Sequence, residues 1–177
     1  MKYVAFLRAI NVGGRVVKME VLRGHFEALG FTDIETFIAS GNVIFESAAS
    51  QSSVKARIEA HLRISLGFEV ATFVRTIAEV RAVARYQPFA KTAVASAGAF
   101  CVGFLDKPLE QSACDVVVGL KNQVDDFHLH GREIYWLCAN KQSASTFSNA
   151  KFERFVKMPA TFRGMNTVAK LAAKFAI

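Results

Sequence analysis

Hydrophobic and polar positions in residues 1–75 follow two different periods. Residues 2–10 are mostly apolar and predict a strand, whereas the apolar positions of residues 18–29 recur three or four residues apart and predict an amphipathic helix. Gly30 is then typical of the residue that ends a helix. The same criteria predict strands at about 33–39 and 42–47, a helix at about 53–66 and a strand at about 69–75.

The second half of the chain repeats this order of elements. Thr76 and Glu79 form a capping box that predicts a connecting helix from about residue 77, and the segment "AKTAVASAG" is predicted to be a linker. Asn166 is predicted to cap a final helix. Between the linker and this final helix, the sequence predicts a strand at about 99–105, a helix at about 108–120 with Pro108 in its first turn, strands at about 124–130 and 133–139, a helix at about 149–157 capped by Ser148, and a strand at 160–163.

Each half therefore has the order βαββαβ, which is the split pattern of a ferredoxin-like fold. We predict an α+β protein built as a tandem pair of ferredoxin-like (βαββαβ) halves with extra connecting and C-terminal helices. The predicted central strands are apolar at almost every position, so both of their faces should be buried. Helices cover one face of such a sheet, and the other half or a second subunit should cover the other face. The predicted boundaries are 1–75 for the first half, 76–97 for the connecting helix and linker, 98–164 for the second half and 165–177 for the C-terminal helix.

Composition and charge narrow the classes of partner. The chain has a net charge of +7 and a pI of about 9.5, which favours anionic partners such as nucleotides, phosphorylated metabolites or nucleic acid. No run of five like charges concentrates this field, so nucleic acid is only weakly supported. Apolar runs fall short of the roughly 18 residues of a membrane-spanning helix, so no membrane partner is predicted. A homo-oligomer is compatible with the apolar strands.

Cysteine usage and the N-terminus indicate a cytoplasmic protein. The chain has three cysteines, Cys101, Cys114 and Cys138, which are widely spaced and form no C-x-x-C pair. They predict neither a disulfide framework nor a zinc site, and they fit a reducing compartment. Arg8 and Asn11 interrupt the apolar core that a signal peptide requires.

The stretch "FLRAINVGGRVVKM" connects the first predicted strand to the first helix. Consecutive glycines at positions 13 and 14 let backbone N–H groups converge, a helix N-terminus adds partial positive charge, and Arg8 and Lys18 add cations. Asn11 offers both a donor and an acceptor. This combination predicts a site for a phosphate or carboxylate group at Arg8, Asn11, Gly13, Gly14 and Lys18. The alternative is a tight turn in which Asn11 and the glycines supply positive φ angles.

Other polar positions give weaker hypotheses. Ser40 and Asn42 flank Gly41 in a predicted hairpin, which we expect at the end of the sheet opposite the glycine junction and therefore at a separate place. His128 and His130 lie on one face of a strand, but partners at metal-ligand spacing are missing, so no metal site is predicted and a solvent-facing pair is expected. The segment "NVIFES" is similar to an RNA-recognition strand, although strands buried on both faces argue against base stacking.

Four blocks of sequence, "FLRAINVGG", "KMEVLRGHFEALGF", "TFIASGNVIFES" and "PATFRGMNTVAKL", resemble the bacterial domain of unknown function 1697 (DUF1697) family. The resemblance implies the tandem α+β arrangement and supplies no agreed activity, substrate or cofactor. Gly164 and Met165 stand where the family commonly has Asn and Trp, and "KQSASTF" replaces a Gly-Arg-Ser segment. The family blocks match at Arg8, Asn11, Gly13, Gly14, Lys18, Ser40, Gly41, Asn42, Arg163, Asn166 and Thr167.

These observations predict a protein that binds a small anionic, phosphorylated or carboxylate, ligand at the first strand–helix junction. Arg163 and Asn166 join Ser40 and Asn42 as secondary candidates for the site. The alternative is an interaction protein whose basic surface binds nucleic acid or an acidic protein partner. The sequence indicates no cofactor and no recognisable catalytic motif, so it leaves open whether the protein is an enzyme.

Overall fold

The computed structural model describes residues 1–38 and 41–175 and has an α+β architecture. Within these ranges the chain forms eight β-strands and seven α-helices, and the strands build two four-stranded antiparallel sheets. The chain divides into two compact units. The first contains Met1–Ala82 together with the C-terminal residues from Lys170, and the second contains Val83–Ala169.

The sheet of the first unit has the strand order β2-β3-β1-β4, in which each neighbouring pair is antiparallel. In the centre of this sheet, Ala5 on β1 pairs with Val43 on β3 and with Val74 on β4. The elements are β1 (Lys2–Leu7), α1 (Met19–Ala28), β2 (Thr32–Thr36), β3 (Asn42–Glu46), α2 (Gln51–Leu66) and β4 (Thr72–Thr76).

Both faces of the central strand β1 are buried. Ala5 and Leu7 belong to a core that includes Phe26 of α1 and Ile58 of α2. The intervening residues of β1 point to the opposite face of the sheet and are also fully buried, as Phe6 illustrates. The continuous apolar character of this strand is therefore explained by burial on two sides.

The sheet of the second unit has the antiparallel order β6-β7-β5-β8. Its helix-side core contains Trp136, Phe152 and Val117. Two helices, α3 and α7, have residues in both units. The remaining elements are α3 (Ile77–Arg85), α4 (Lys91–Ser96), β5 (Ala99–Phe104), α5 (Gln111–Val118), β6 (Asp125–His130), β7 (Glu133–Cys138), a short 3-10 helix (Gln142–Ala144), α6 (Asn149–Val156), β8 (Thr161–Gly164) and α7 (Met165–Lys174).

Local capping interactions explain several helix boundaries. The amide N–H of Glu79 donates to Thr76 Oγ1, and that of Thr76 donates to Glu79 Oε2 at 2.7 Å, which forms the predicted capping box of α3. The Ser148 side chain accepts from the amide of Lys151 at the start of α6, as predicted. Gly67 ends α2 in the left-handed conformation with φ +77°.

Several elements differ from the sequence predictions. The first strand ends at Leu7 rather than residue 10, because Ala9 adopts a positive φ of 51° that extended backbone does not allow. Residues Lys91–Ser96 form α4 within the segment predicted to be a linker, since its alanines favour helix. Asn166 lies inside α7, which begins at Met165, so it is not the N-cap.

Candidate ligand-binding site

The connection between β1 and α1, residues 8–18, forms an exposed loop that a side chain closes at its base. The Asn11 Oδ1 atom accepts a hydrogen bond from the Val17 amide at 2.6 Å. Between these residues, Gly13 and Gly14 adopt left-handed φ angles of +66° and +81°. A Cβ atom at either glycine would have no neighbour within 4 Å. The glycines therefore provide the positive φ angles expected of a turn, and they leave the backbone open to solvent.

Three cationic residues accompany this loop. Lys18 is exposed and precedes α1, and its side chain makes no capping hydrogen bond. The Arg15 guanidinium lies over the Phe68 ring, 4.2 Å from the ring centroid, so this cation packs against the residue that follows the end of α2. Arg8 is partly buried at the base of the loop, where its amide donates to Ala71 O at 2.9 Å.

The glycines do not lie in the first turn of α1. Met19 begins the helix five residues after Gly14, and residues 15–18 between them have no regular secondary structure. The helix N-terminus and the glycine amides are consequently two separate features of the connection, although the sequence pattern treats them as one. Of the cations, Lys18 lies at the helix end and Arg8 at the loop base.

The β2–β3 hairpin lies beside this loop, so the prediction that it occupies the opposite end of the sheet is wrong. The amide of Leu7, the last residue of β1, donates to Gly41 O at 2.8 Å. Phe6 also pairs with Asn42 in the antiparallel register of β1 and β3. A strand that runs antiparallel to β1 starts where β1 ends, and this places the start of β3 next to residues 8–18.

Of the two secondary candidate residues in the hairpin, the structure describes Asn42 but not Ser40. Asn42 is fully buried, and its Nδ2 atom donates to Phe37 O at 3.0 Å, so its side chain holds the hairpin together. Gly41 packs closely on the loop base, because a Cβ there would lie 2.8 Å from Ile10 Cγ2. Ser40 lies outside the described residues.

Arg163 and Asn166, the other secondary candidates, lie in the second unit. The Arg163 guanidinium is largely buried and donates to Thr161 Oγ1 at 2.8 Å and to Phe162 O at 2.9 Å within its own strand. Burial lowers the pKa of Arg163 to about 10. Asn166 is exposed in the first turn of α7. The hydrogen bonds that Arg163 makes within β8 indicate a structural role for its side chain.

The two histidines of β6, His128 and His130, both contact the side chain of Tyr86. The Tyr86 hydroxyl lies 2.8 Å from His128 Nε2, and its ring stacks on His130 with the centroids 4.0 Å apart. Only His130 is exposed, so the expectation of a solvent-facing pair is half wrong. Across residues 1–38 and 41–175, no group of three or more His, Cys, Asp or Glu side chains could hold a metal ion.

Sequence reasoning missed two contacts in the first unit. Phe68 supports Arg15 but had no distinguishing signal other than its place after Gly67. His25 of α1 and His61 of α2 meet with their ring nitrogens 3.1 Å apart, although they are distant in sequence. Burial and then the proximity of His61 lower the pKa of His25. No periodicity pairs residues on different helices, so only the packing of α1 against α2 reveals this contact.

The two antiparallel sheets with their helices define a mixed α+β protein. The chain belongs to the DUF1697 family, whose model, described as a protein of unknown function, matches residues 1–135. The fold is similar to that of the conserved bacterial protein SP0830 from Streptococcus pneumoniae, with a TM-score of 0.75, 22% sequence identity and coverage of 97% of each chain. None of the curated proteins compared with the chain matches it. Among the described residues, no helix is both long and apolar enough to cross a membrane.

Proposed function

We propose that the protein binds a small anionic ligand, bearing a phosphate or a carboxylate, at the connection formed by residues 8–18. The observation that carries the proposal is a loop closed by the Asn11–Val17 hydrogen bond, with the open backbone of Gly13 and Gly14 at its tip. Backbone N–H groups in such a turn are available to an anion. The exposed Lys18 and the partly exposed Arg8 add positive charge near them.

The residues of this connection favour binding over catalysis. Residues 8–18 contain no carboxylate, thiol or imidazole, which are the groups that serve as general acids, general bases or nucleophiles. Arginine, lysine, asparagine and glycine amides are instead the groups that hold oxyanions. We therefore propose a ligand-binding role for this loop and assign no reaction to it.

A thermal-shift experiment tests this function. Inorganic phosphate, a nucleotide panel and a sugar-phosphate panel should raise the melting temperature of the wild-type protein, because a ligand that binds only the folded state stabilises it. Lys18→Ala and Arg8→Ala should abolish this increase. Exposed cations contribute only about 0–1 kcal/mol to folding, so Lys18→Ala should leave the melting temperature of the ligand-free protein nearly unchanged.

Two control variants separate the site from the turn. Lys91→Ala removes an exposed cation at the start of α4 and should retain the full ligand-induced shift. Gly13→Ala should destabilise the fold by more than about 1 kcal/mol, because alanine is strained at its positive φ. Absence of a wild-type shift with every ligand would leave only the turn-forming role of this loop.

A second candidate function is the binding of an acidic protein partner or nucleic acid. Val12 and Val16 are 62% and 81% exposed, and they lie on the same loop as Arg15 and Lys18. Apolar side chains among cations favour a macromolecular surface more than a small, fully charged ligand. Binding to a polyanion such as DNA should weaken linearly with the logarithm of salt concentration, whereas a small-ligand site responds less steeply.

We also infer that each unit contains a ferredoxin-like half, bounded near residues 1–75 in the first unit and 98–164 in the second, with residues 76–97 as the connection and 165–177 as a C-terminal helix. The support is the matching order of elements and of strands in the two sheets. Arg75 on β4 and Arg163 on β8 pair with Val4 and Val102 at corresponding places in the two registers.

A reducing, cytoplasmic location is proposed on the state of the cysteines. Cys101, Cys114 and Cys138 are all free thiols. Burial raises the pKa of Cys101 to about 11 and also raises that of Cys138, so both remain protonated at neutral pH. Buried, unpaired thiols of this kind are compatible with compartments in which disulfides do not form.

A further inference from the structure

The second unit contains a cavity on the helix side of its sheet. The cavity has a volume of about 600 Å³, within the range of about 300–1,000 Å³ that is typical of small-molecule sites. Trp136 and Phe162 form its floor, since both belong to the helix-side core of this sheet. The lining residues are Trp136, Gln142, Ser143, Phe147, Ser148, Asn149 and Phe162.

The lengths of two elements explain why space remains at this place. In the first unit, a four-residue connection (47–50) leads from β3 into the sixteen-residue helix α2. In the second unit, a ten-residue connection (139–148) leads from β7 into α6, which has eight residues. The shorter helix covers less of the sheet, and the longer connection forms a wall of the cavity instead. This connection includes the segment 141–147, which departs from the family pattern and lies beyond the matched residues 1–135.

Three aromatic rings surround the cavity at different angles. The ring centroids of Trp136 and Phe147 are 4.7 Å apart, and those of Phe147 and Phe162 are 5.8 Å apart. The Trp136 and Phe162 rings are nearly perpendicular, at 87°. Rings set at different angles can contact a planar ligand by a face or by an edge, and both geometries are ones that aromatic contacts prefer.

The polar part of the lining is neutral. Its polar side chains are two amides and two hydroxyls, and none of the lining residues is charged. Asn149 is held by its Nδ2 atom, which donates to Ala160 O at 2.9 Å and to Glu153 Oε1 at 3.2 Å. Its Oδ1 atom is buried and has no hydrogen-bond partner among the described residues. An unpaired buried acceptor costs free energy, which a ligand N–H group can recover after a small movement of the side chain.

We propose that this cavity binds an uncharged heteroaromatic ring with neighbouring hydrogen-bond donor and acceptor groups, which is the chemistry of a nucleobase. The aromatic rings select a planar ligand, and the amide of Gln142 and the Oδ1 atom of Asn149 recognise its polar edge. The absence of charge in the lining favours the base itself over a phosphate. The proposal is independent of the anion site, because its residues and those of residues 8–18 belong to different units.

The only tryptophan of the chain, Trp136, lines the cavity and reports its occupancy directly. Titration of the full-length protein with adenine, adenosine or nicotinamide should change tryptophan fluorescence to saturation. Adenosine monophosphate should bind no more tightly than adenosine, because no cation lines the cavity. Cyclohexanecarboxamide, which has the amide of nicotinamide but no aromatic ring, should cause no saturable change.

Variants at the cavity wall sharpen this test. Ser143→Phe places a ring in the space of the ligand and should weaken adenine binding by about ten-fold or more, consistent with the loss of one base-stacking contact. Gln123→Ala removes an exposed glutamine outside the cavity and should leave binding unchanged. Lys18→Ala should also leave adenine binding unchanged, which separates this site from the anion site.

Two results would overturn the proposal. One is an unaltered tryptophan signal with all three ring probes, supported by the absence of heat in calorimetry. The other is equal affinity of wild type and Ser143→Phe for adenine. If Ser143→Phe does not fold, Gln142→Ala replaces it, because this side chain is exposed at the rim and its loss should weaken adenine binding while the fold is retained.

Discussion

Gly103 illustrates at the residue scale how tightly the second sheet is packed. It lies in the central strand β5, and a Cβ atom there would lie 2.6 Å from Ile134 Cγ2 and 2.7 Å from Phe162 Cζ. Both neighbours belong to the helix-side core, where a shift of one ring displaces others. Gly164 in β8 has no atom within 4 Å of the corresponding position. The two glycines therefore have opposite tolerance for a methyl group.

We predict that Gly103→Ala destabilises the protein by about 1–3 kcal/mol, the usual cost of overpacking a core. Gly164→Ala is the matched control and should change the free energy of unfolding by less than about 0.5 kcal/mol. Urea denaturation of the two variants beside the wild type measures both values. Equal stability of the two variants would contradict the packing argument.

The sequence predicted the turn-forming glycines of the 8–18 loop but not the hydrogen bond that closes it. Asn11, Gly13 and Gly14 were recognised from residue type alone, and the positive φ angles of the glycines are confirmed. The bond from the Val17 amide to Asn11 Oδ1 was not predicted, because it depends on the path of the whole loop. The cavity around Phe147 was also missed, since the space follows from the lengths of α6 and its connection rather than from any motif.

At the scale of elements, the contact between α1 and α2 predicts that the stability of the protein depends on pH. His25 Nδ1 and His61 Nε2 are 3.1 Å apart, and burial, followed by the proximity of His61, lowers the pKa of His25 from its ordinary value of 6.5. The unfolded chain consequently binds more protons than the folded protein just below pH 6.5. Stability should therefore fall as the pH decreases through this window and recover as the pH rises.

We predict that His25→Gln reduces the slope of unfolding free energy against pH below 6.5, because the residue that loses its proton on folding is removed. His61→Gln should reduce the slope in the same direction, since it removes the neighbouring charge. Urea denaturation over a series of pH values measures the slope. An unchanged slope in His25→Gln would show that other groups cause the pH dependence.

The sequence predicted which helices and strands form better than it predicted where they lie in the fold. The capping pairs at Thr76–Glu79 and Ser148–Lys151 use local contacts, and the helices they begin were correctly predicted. The place of the β2–β3 hairpin was not correctly predicted, because it depends on which strand pairs with β1 and in which direction. Antiparallel pairing of β1 with β3 brings Gly41 to Leu7. This correction puts the hairpin beside the proposed anion site.

At the scale of the whole molecule, the repeated order of elements and the central place of the apolar strands were predicted from the sequence, whereas the register of strand pairing required the structure. Periodicity fixes the type of each element but contains no information about distant pairing. The resulting sheets share one order of edge and central strands. The C-terminal positions Gly164 and Met165, which depart from the family pattern, still form the end of β8 and the start of α7. Loss of the family residues there is thus compatible with the same elements.

Because of where the cysteines lie in the chain, thiol labelling reports on the second unit alone. All three thiols lie between residues 83 and 169. Cys101 and Cys138 are buried in the central strands β5 and β7, and burial raises the pKa of each thiol. Cys114 on α5 is only partly buried, with its Sγ atom 3.6 Å from Leu109 O. The three thiols should therefore react in two kinetic classes.

We predict that a thiol reagent labels Cys114 in a fast phase and labels Cys101 and Cys138 only when the second sheet opens, because a buried, protonated thiol is unreactive. Cys114→Ser should remove the fast phase and leave the slow phase unchanged. Gly103→Ala should accelerate the slow phase, since it destabilises the same sheet, whereas Gly164→Ala should not. Stopped-flow absorbance, with mass spectrometry of the labelled peptides, measures the rate at which each thiol reacts. Fast labelling of all three thiols in the native protein would contradict the burial of β5 and β7.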